Sequence, residues 1–423
     1  MFYTKILLLL FIITLGISDL SLAQNDKTCF EFLRAKYNDH DSRLSEYLKT
    51  EVNSFISQYP QSSLMPDALI LQAKIFDEFR EEEVAVAILV KVMFLYPTSD
   101  KRPEANDLMM SLIAGNDKLQ EIKNELFNLS DKIDFEENRA DRYYSYLEFI
   151  YDLGQPQMYN WLMGELYHFL AEFPDHIQID RVHRWIAGTY GAENEEQAAV
   201  AAYLKYEMLF PESEFIPLVK NRRAEVIYED LKEYDTAMAI FTNVIEQYPS
   251  TQYVATALFH RAKIKANRFK EYVAAINDLR RLADDFPDHQ LAMPALFEIA
   301  RLNEKKQKAY IGAIGVYEEI VEKYPNNPQA PDALIMAAKL HTKINEDRNA
   351  IGKYAQYATH YPNRKDSPQM LFKAGMICES KLKDNQQAFE YFDAVAKRYP
   401  DSKYAPKAQK KADRLRERLS MGQ

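Results

Sequence analysis

The sequence predicts an all-α fold, an α-solenoid of about nine to ten antiparallel helix pairs, and three observations carry that expectation. The first is a ruler of prolines. Pro60, Pro97, Pro174, Pro211, Pro249, Pro287, Pro325, Pro362 and Pro400 are each preceded directly by Tyr or Phe. The steps between them are 37, 77, 37, 38, 38, 38, 37 and 38 residues, the 77 being two periods with one mark missing. Random placement of these residue types would give roughly two such pairs in no order, and a repeated period of this size marks stacked structural units.

The second observation lies upstream of each mark. Twelve residues before the proline stands alanine in seven cases: Ala85, Ala199, Ala237, Ala275, Ala313, Ala350 and Ala388. Large apolar or aromatic residues follow four and seven positions later, as in Leu279 and Leu282 or Tyr354 and Tyr357, and the series ends on the aromatic. Spacings of four, three and four are one face of an α-helix. The proline then ends that helix, because the residue before proline is pushed out of the α region.

The third observation lies downstream. Thirteen residues after the mark stands a small residue: Ala73, Ala187, Ala224, Ala262, Ala300, Ala338 or Gly375. Six or seven residues after it comes a second proline, such as Pro217, Pro294, Pro331 or Pro406. Proline is tolerated in a first helical turn, where its missing N–H had no partner. Each repeat is therefore a helix A opened by proline and a helix B closed by it. Small residues let the pair approach closely, and stacked neighbours share the core that one pair could not bury alone.

Taken in chain order, residues 1–23 read as a secretory signal. Lys5 supplies the charge, Ile6 to Ile17 the apolar run, and Ser21-Leu22-Ala23 the small residues at a cleavage site. Export to a periplasm is the expectation. Acylation is not expected, because Cys29 follows Asp26-Lys27-Thr28 and stands in no lipid-attachment context. Residues 24–60 should form N-terminal helices and a first partial repeat, 61–97 one repeat, 98–174 two degenerate repeats, 175–400 six repeats, and 401–423 a capping helix. The missing mark falls near Asp134-Phe135-Glu136. Loss of its proline and alanines should loosen the packing there or change the curvature.

Composition narrows the function. The net charge of −10 argues against a general nucleic-acid surface. No later stretch is long and apolar enough for an integral membrane span, although peripheral outer-membrane association is compatible with the sequence. Eight histidines form no metal-ligand pattern, and His176 and His289, in inter-repeat turns, should face solvent. With 11 glycines there is no phosphate loop, and no nucleophile elbow appears. No cofactor and no enzymatic activity are expected. The two cysteines, Cys29 and Cys378, lie near opposite ends of the array and are not expected to pair; Cys378 should be buried.

The pattern Ala262, Ala275, Leu279, Leu282, Pro287, repeated as Ala338, Ala350, Tyr354, Tyr357, Pro362, resembles the tetratricopeptide repeat, as do Ala300 with Ala313 and Pro325, and the marks Pro249 and Pro400. The unit here is 37–38 residues, lengthened between helix B and the next helix A. That lengthening is similar to the repeats of bacterial envelope proteins of the BamD and CpoB types. The resemblance covers most of residues 43–412. It implies a protein-binding scaffold whose A helices line a concave face. Residues one position after the small helix-A residue would look onto that face: Lys74, Lys263, Arg301 and Lys339. Such a basic ladder could receive an acidic or C-terminal protein segment. The aromatic cluster of the irregular stretch, Tyr143, Tyr144, Tyr146, Tyr159 and Trp161, is a second candidate surface, with core filling as its alternative. The role expected is envelope assembly or secretion. The alternative is an accessory part in peptidoglycan metabolism or cell division, or binding of glycan itself.

Overall fold

The computed structural model describes residues 25–134 and 136–421. The expected signal lies outside the described residues, as does Phe135 at the missing mark. Every regular element among the described residues is helical. The chain divides into two compact units, residues 1–211 and 212–423.

The first unit holds α1 (25–38), α2 (Ser45–Gln58), α3 (Met65–Glu78), α4 (Glu82–Leu95), α5 (Arg102–Gly115), α6 (Asp117–Glu121), α7 (Lys123–Phe127), α8 (Arg139–Leu153), α9 (Tyr159–Glu172), α10 (Ile179–Ala192) and α11 (Glu196–Leu209). The second holds α12 (Ile216–Glu229), α13 (Tyr234–Gln247), α14 (Tyr253–Ile264), α15 (Tyr272–Asp285), α16 (Ala292–Leu302), α17 (Tyr310–Lys323), α18 (Ala330–Lys343), α19 (Asp347–His360), α20 (Ser367–Ile377), α21 (Asn385–Arg398) and α22 (Ala405–Met421).

The aromatic-proline marks end their helices as expected. From Tyr59 to Tyr399, the nine aromatics have φ between −123° and −132° and ψ between 46° and 60°. Each still donates its N–H to the carbonyl four residues back, then leaves the helix as the following proline requires. The second prolines stand in the first turns of α3, α5, α12, α18 and α20. The repeat alanines Ala262, Ala275, Ala300, Ala313, Ala338 and Ala350 are all buried. Gly375 takes the place of alanine because Phe392 closes over it, and a Cβ there would lie 2.9 Å from the ring.

A second ruler, at the other end of the helix pair, was invisible in the sequence. Arg80, Asn194, Lys232, Lys270, Lys308, Asn345 and Lys383 are all left-handed, with φ from 58° to 63°, at the turn from helix A to helix B. Glycine is the usual residue there. In three repeats a π-helical turn precedes it: Lys265–Phe269, Asn303–Gln307 and Cys378–Leu382.

The irregular stretch departs from expectation. Its apolar series Leu119, Ile122, Leu126, Leu129 and Ile133 keeps helical spacing and is buried, but the helix that carries it is broken into α6, α7 and the 3₁₀ turn Leu129–Lys132. Then α8 packs against α4 as well as α9. The stretch is thus a layer over α4. Every residue of α4 from Glu83 to Leu95 is buried.

The aromatic surface is corrected for the same reason. Tyr143 and Tyr146 are fully buried between α4, α8 and α9, and Tyr144 is buried among Phe169, His176 and, from α10, Trp185. Trp161 is half-buried and donates from Nε1 to the Tyr146 hydroxyl at 2.9 Å. Tyr159 is half-buried and donates to the Gly154 carbonyl at 3.4 Å. In the middle lies an ion pair. Lys91 Nζ is 2.7 Å from Glu165 Oε2, and Tyr143 donates to the same oxygen at 2.6 Å. His176 is no solvent group either: it stacks on Tyr144, and Nε2 sits 3.0 Å from Asp141 Oδ1. His289 is half-buried, and its Nδ1 accepts the Leu291 N–H. Cys378 is buried among α20, α21 and α22, and that burial raises its thiol pKa to about 11.

Candidate protein-binding groove

The second unit carries a groove of about 790 Å³ along its A helices. Helical spacing of the A helices puts the same face of α14, α16 and α18 along it. Phe259 comes from α14, Pro294, Phe297, Glu298 and Arg301 from α16, and Asp332, Met336, Lys339 and Leu340 from α18. Tyr317 of α17 reaches in from behind, its ring 6.2 Å from that of Phe297. Burial raises the Tyr317 hydroxyl pKa to about 12, so it stays a neutral donor at all ordinary pH values. The floor is apolar and aromatic, and the rim carries charges of both signs.

The basic ladder is only partly assembled. Arg301 and Lys339 line the groove. Arg301 is committed to Glu298 one turn before it, and that bond raises its pKa. Lys263 lies over the rings of Tyr228 and Phe259, 5.8 and 5.7 Å from their centroids. Lys74 belongs to the first unit and pairs with Glu104 at 2.8 Å. Lys339 is exposed, and no ion pair among the described residues holds it. The three equivalent cations therefore differ: one is stacked, one is paired and one is open.

The floor was missed in the sequence, although a signal was present. Phe259 and Phe297 stand one 38-residue step apart, and the next position in that series is Ile335. Reading the face that helix A turns away from helix B would have found it.

A second hollow, of about 480 Å³, sits at the turn end of α12 and α14, walled by Glu229, Asp230, Lys232 and Arg268. Its walls are mostly polar. Among the described residues no group of His, Cys, Asp and Glu is arranged to hold a metal ion. No described helix is long and apolar enough to cross a membrane.

Two family models match the chain: a tetratricopeptide repeat over residues 222–251, and an outer membrane lipoprotein family over residues 303–422. Its repeats are of the tetratricopeptide type. The last of them resemble those of the lipoprotein family. The class is that of protein-interaction scaffolds. No curated protein is matched. Among solved structures, a tetratricopeptide repeat protein from Parabacteroides merdae is 13% identical, with 64% of this chain and 98% of that one covered and a TM-score of 0.37. The C-terminal part of a repeat protein from Cytophaga hutchinsonii is 11% identical, covering 62% and 98%, with a TM-score of 0.42. PilW, a type IV pilus biogenesis factor, is 17% identical, covering 55% and 100%, with a TM-score of 0.32.

Proposed function

We propose that this chain is a non-enzymatic, exported scaffold of a bacterial cell envelope, and that the groove of its second unit binds a segment of a protein partner during outer-membrane assembly or secretion. The observation that carries this reading is the groove itself. Successive A helices place Phe259, Phe297 and Met336 on one open face, a shape and chemistry suited to an extended peptide. Most of the groove's charged rim, from Glu304 to Lys339, falls within the stretch matched by the outer membrane lipoprotein family. The leader at residues 1–23 supplies the route of export.

A photo-crosslinking amino acid at Met336 tests it in the native cell. Ile311, exposed on the B helix α17, is the control position. A discrete envelope-protein adduct from Met336, lost on Phe297→Glu and absent from Ile311, is expected. Equal adducts from both positions, or none from Met336, would sink the reading. An alkaline phosphatase fusion to the full chain should be active, as the enzyme folds only after export.

A further inference from the structure

The A-helix face changes character towards the end of the chain. The 38-residue register lets each groove-lining position be followed from repeat to repeat. Arg301 and Lys339 continue as Met376 and then Arg414, at steps of 38, 37 and 38. The Phe297 position becomes Ile335, Phe372 and then Lys410, and the Asp332 position becomes Gln369 and then Lys407. Met336 becomes Lys373 and then Lys411, and Lys305 becomes Lys343, Ser380 and then Arg418. On α22, all five of these positions are basic. Lys407, Lys410, Arg414 and Arg418 also follow the i, i+3, i+7, i+11 spacing of one helix face, and all four are exposed. Across α22, six basic side chains stand against Asp413 and Glu417, on a chain of net charge −10.

This charge is not used up internally. Glu379, on the π-turn after α20, holds Lys411 at 2.7 Å and also Arg414. Arg418 acts on Glu379 only from beyond ion-pair distance, and among the described residues Lys407 and Lys410 stand in no ion pair. Nor does Lys373, half-buried over the Tyr354 ring, where burial first and Lys339 second depress its pKa. A surface that repels itself in this way is stabilised by an incoming anion.

We propose that α22 is a cationic shelf continuous with the groove, and that it receives an acidic stretch of the same protein segment whose apolar residues enter between Phe297 and Met336. This rests on the groove reading above and gives the partner a chemistry and a direction: an apolar anchor at α16–α18 and acidic residues towards α22. Neighbouring A helices lie about 10 Å apart, so α18 to α22 is roughly 20 Å, or about six residues of extended chain between anchor and acids. A protein segment fits better than an anionic membrane. The apolar face of α22, Ala405, Ala408, Ala412 and Leu415, is buried in the array, so the helix has no greasy side to insert.

Two peptides, each with a Leu–Trp anchor, test the proposal by fluorescence anisotropy on the full mature chain. In one the anchor is followed at six residues by a run of glutamates; in the other the glutamates are glutamines. The triple variant Lys407→Glu, Lys410→Glu, Arg418→Glu breaks no ion pair, and circular dichroism checks its fold. It should weaken the glutamate peptide by about tenfold or more and leave the glutamine peptide unchanged. Added salt should erase the same difference. Met336→Glu should weaken both peptides. Equal affinity of the triple variant and the natural protein for the glutamate peptide overturns the shelf while leaving the groove. Failure of both peptides to bind the natural protein overturns the groove, and the shelf with it. Binding to phosphatidylglycerol vesicles, lost in the triple variant without any glutamate preference in solution, would make the surface a membrane contact and overturn the proposal.

Discussion

Helices α4 and α15 are the same element in two settings. Each is a B helix of 14 residues that ends at an aromatic-proline mark. Counted back from Pro97 and Pro287, Val90, Lys91 and Phe94 of α4 stand where Arg280, Arg281 and Asp284 stand in α15. The face that α15 gives to solvent is, in α4, closed under α8 and α9. Length and capping are alike, so the difference lies in the outer face and what covers it. A helix that is apolar all round is one that is covered all round.

The largest expected contrast lies at the third position before the proline. Phe94→Ala should cost about 3–5 kcal/mol through the cavity it leaves. Asp284→Ala should stay within about 0.5 kcal/mol. Urea denaturation of the two variants measures both, and a cost below about 1 kcal/mol for Phe94→Ala would mean that α8 does not seal α4.

Next comes charge. Lys91→Met strands Glu165 in the core and should cost about 3–5 kcal/mol, while adding Glu165→Leu should recover most of it. Arg280→Ala, which breaks the half-exposed pair with Glu319 at 2.7 Å, should cost no more than about 1 kcal/mol. A double-mutant cycle at each pair decides whether burial sets the difference.

A pH effect follows from one histidine of the second unit. His260 stacks on Phe241 with ring centroids 5.5 Å apart. Burial, then Lys263 and Arg222, depress its pKa to about 4. The unfolded chain takes up this proton near pH 6.5 and the folded chain only near 4. Above pH 6.5 the group is neutral in both states and has no effect. Between 6.5 and 4 stability falls as pH falls, by about 2–3 kcal/mol in all. His260→Gln should flatten that segment of the stability profile; an unchanged slope would place the titration elsewhere.

The smallest effect is a gain. Lys270 holds a left-handed conformation at φ 63°, so Lys270→Gly should stabilise by about 0.5–1 kcal/mol, and Lys270→Asn by less. Thermal melts of both variants check the order.

What the sequence made legible was whatever repeats in residue type. Pro287, Ala275 and Ala300 mark their positions because only proline stops that helix and only a small residue fits that approach. The left-handed turns stayed hidden although Lys232, Lys270, Lys308 and Lys383 recur in register, because lysine does not advertise that conformation. The burial of Tyr143 and Tyr146 was open in the sequence as one of two readings, core or surface. The decisive clue lay far off in α4, whose run from Val84 to Val90 has no polar face. Lys91, the one charge after that run, has its partner Glu165 74 residues away, beyond any local pattern. The groove was half visible: the cations Arg301 and Lys339 were read off their register, and the aromatic floor beneath them was not.

The covered helix also decides how the two units bear load. In the second unit each repeat touches chiefly its neighbours, so a pulled chain gives way one repeat at a time. Each 37–38 residue step frees about 130 Å of chain. In the first unit α4 is gripped from every side, so the helices around it hold together or let go together. One half of the molecule is a spring that pays out in measured lengths; the other is a knot tied around a single rod.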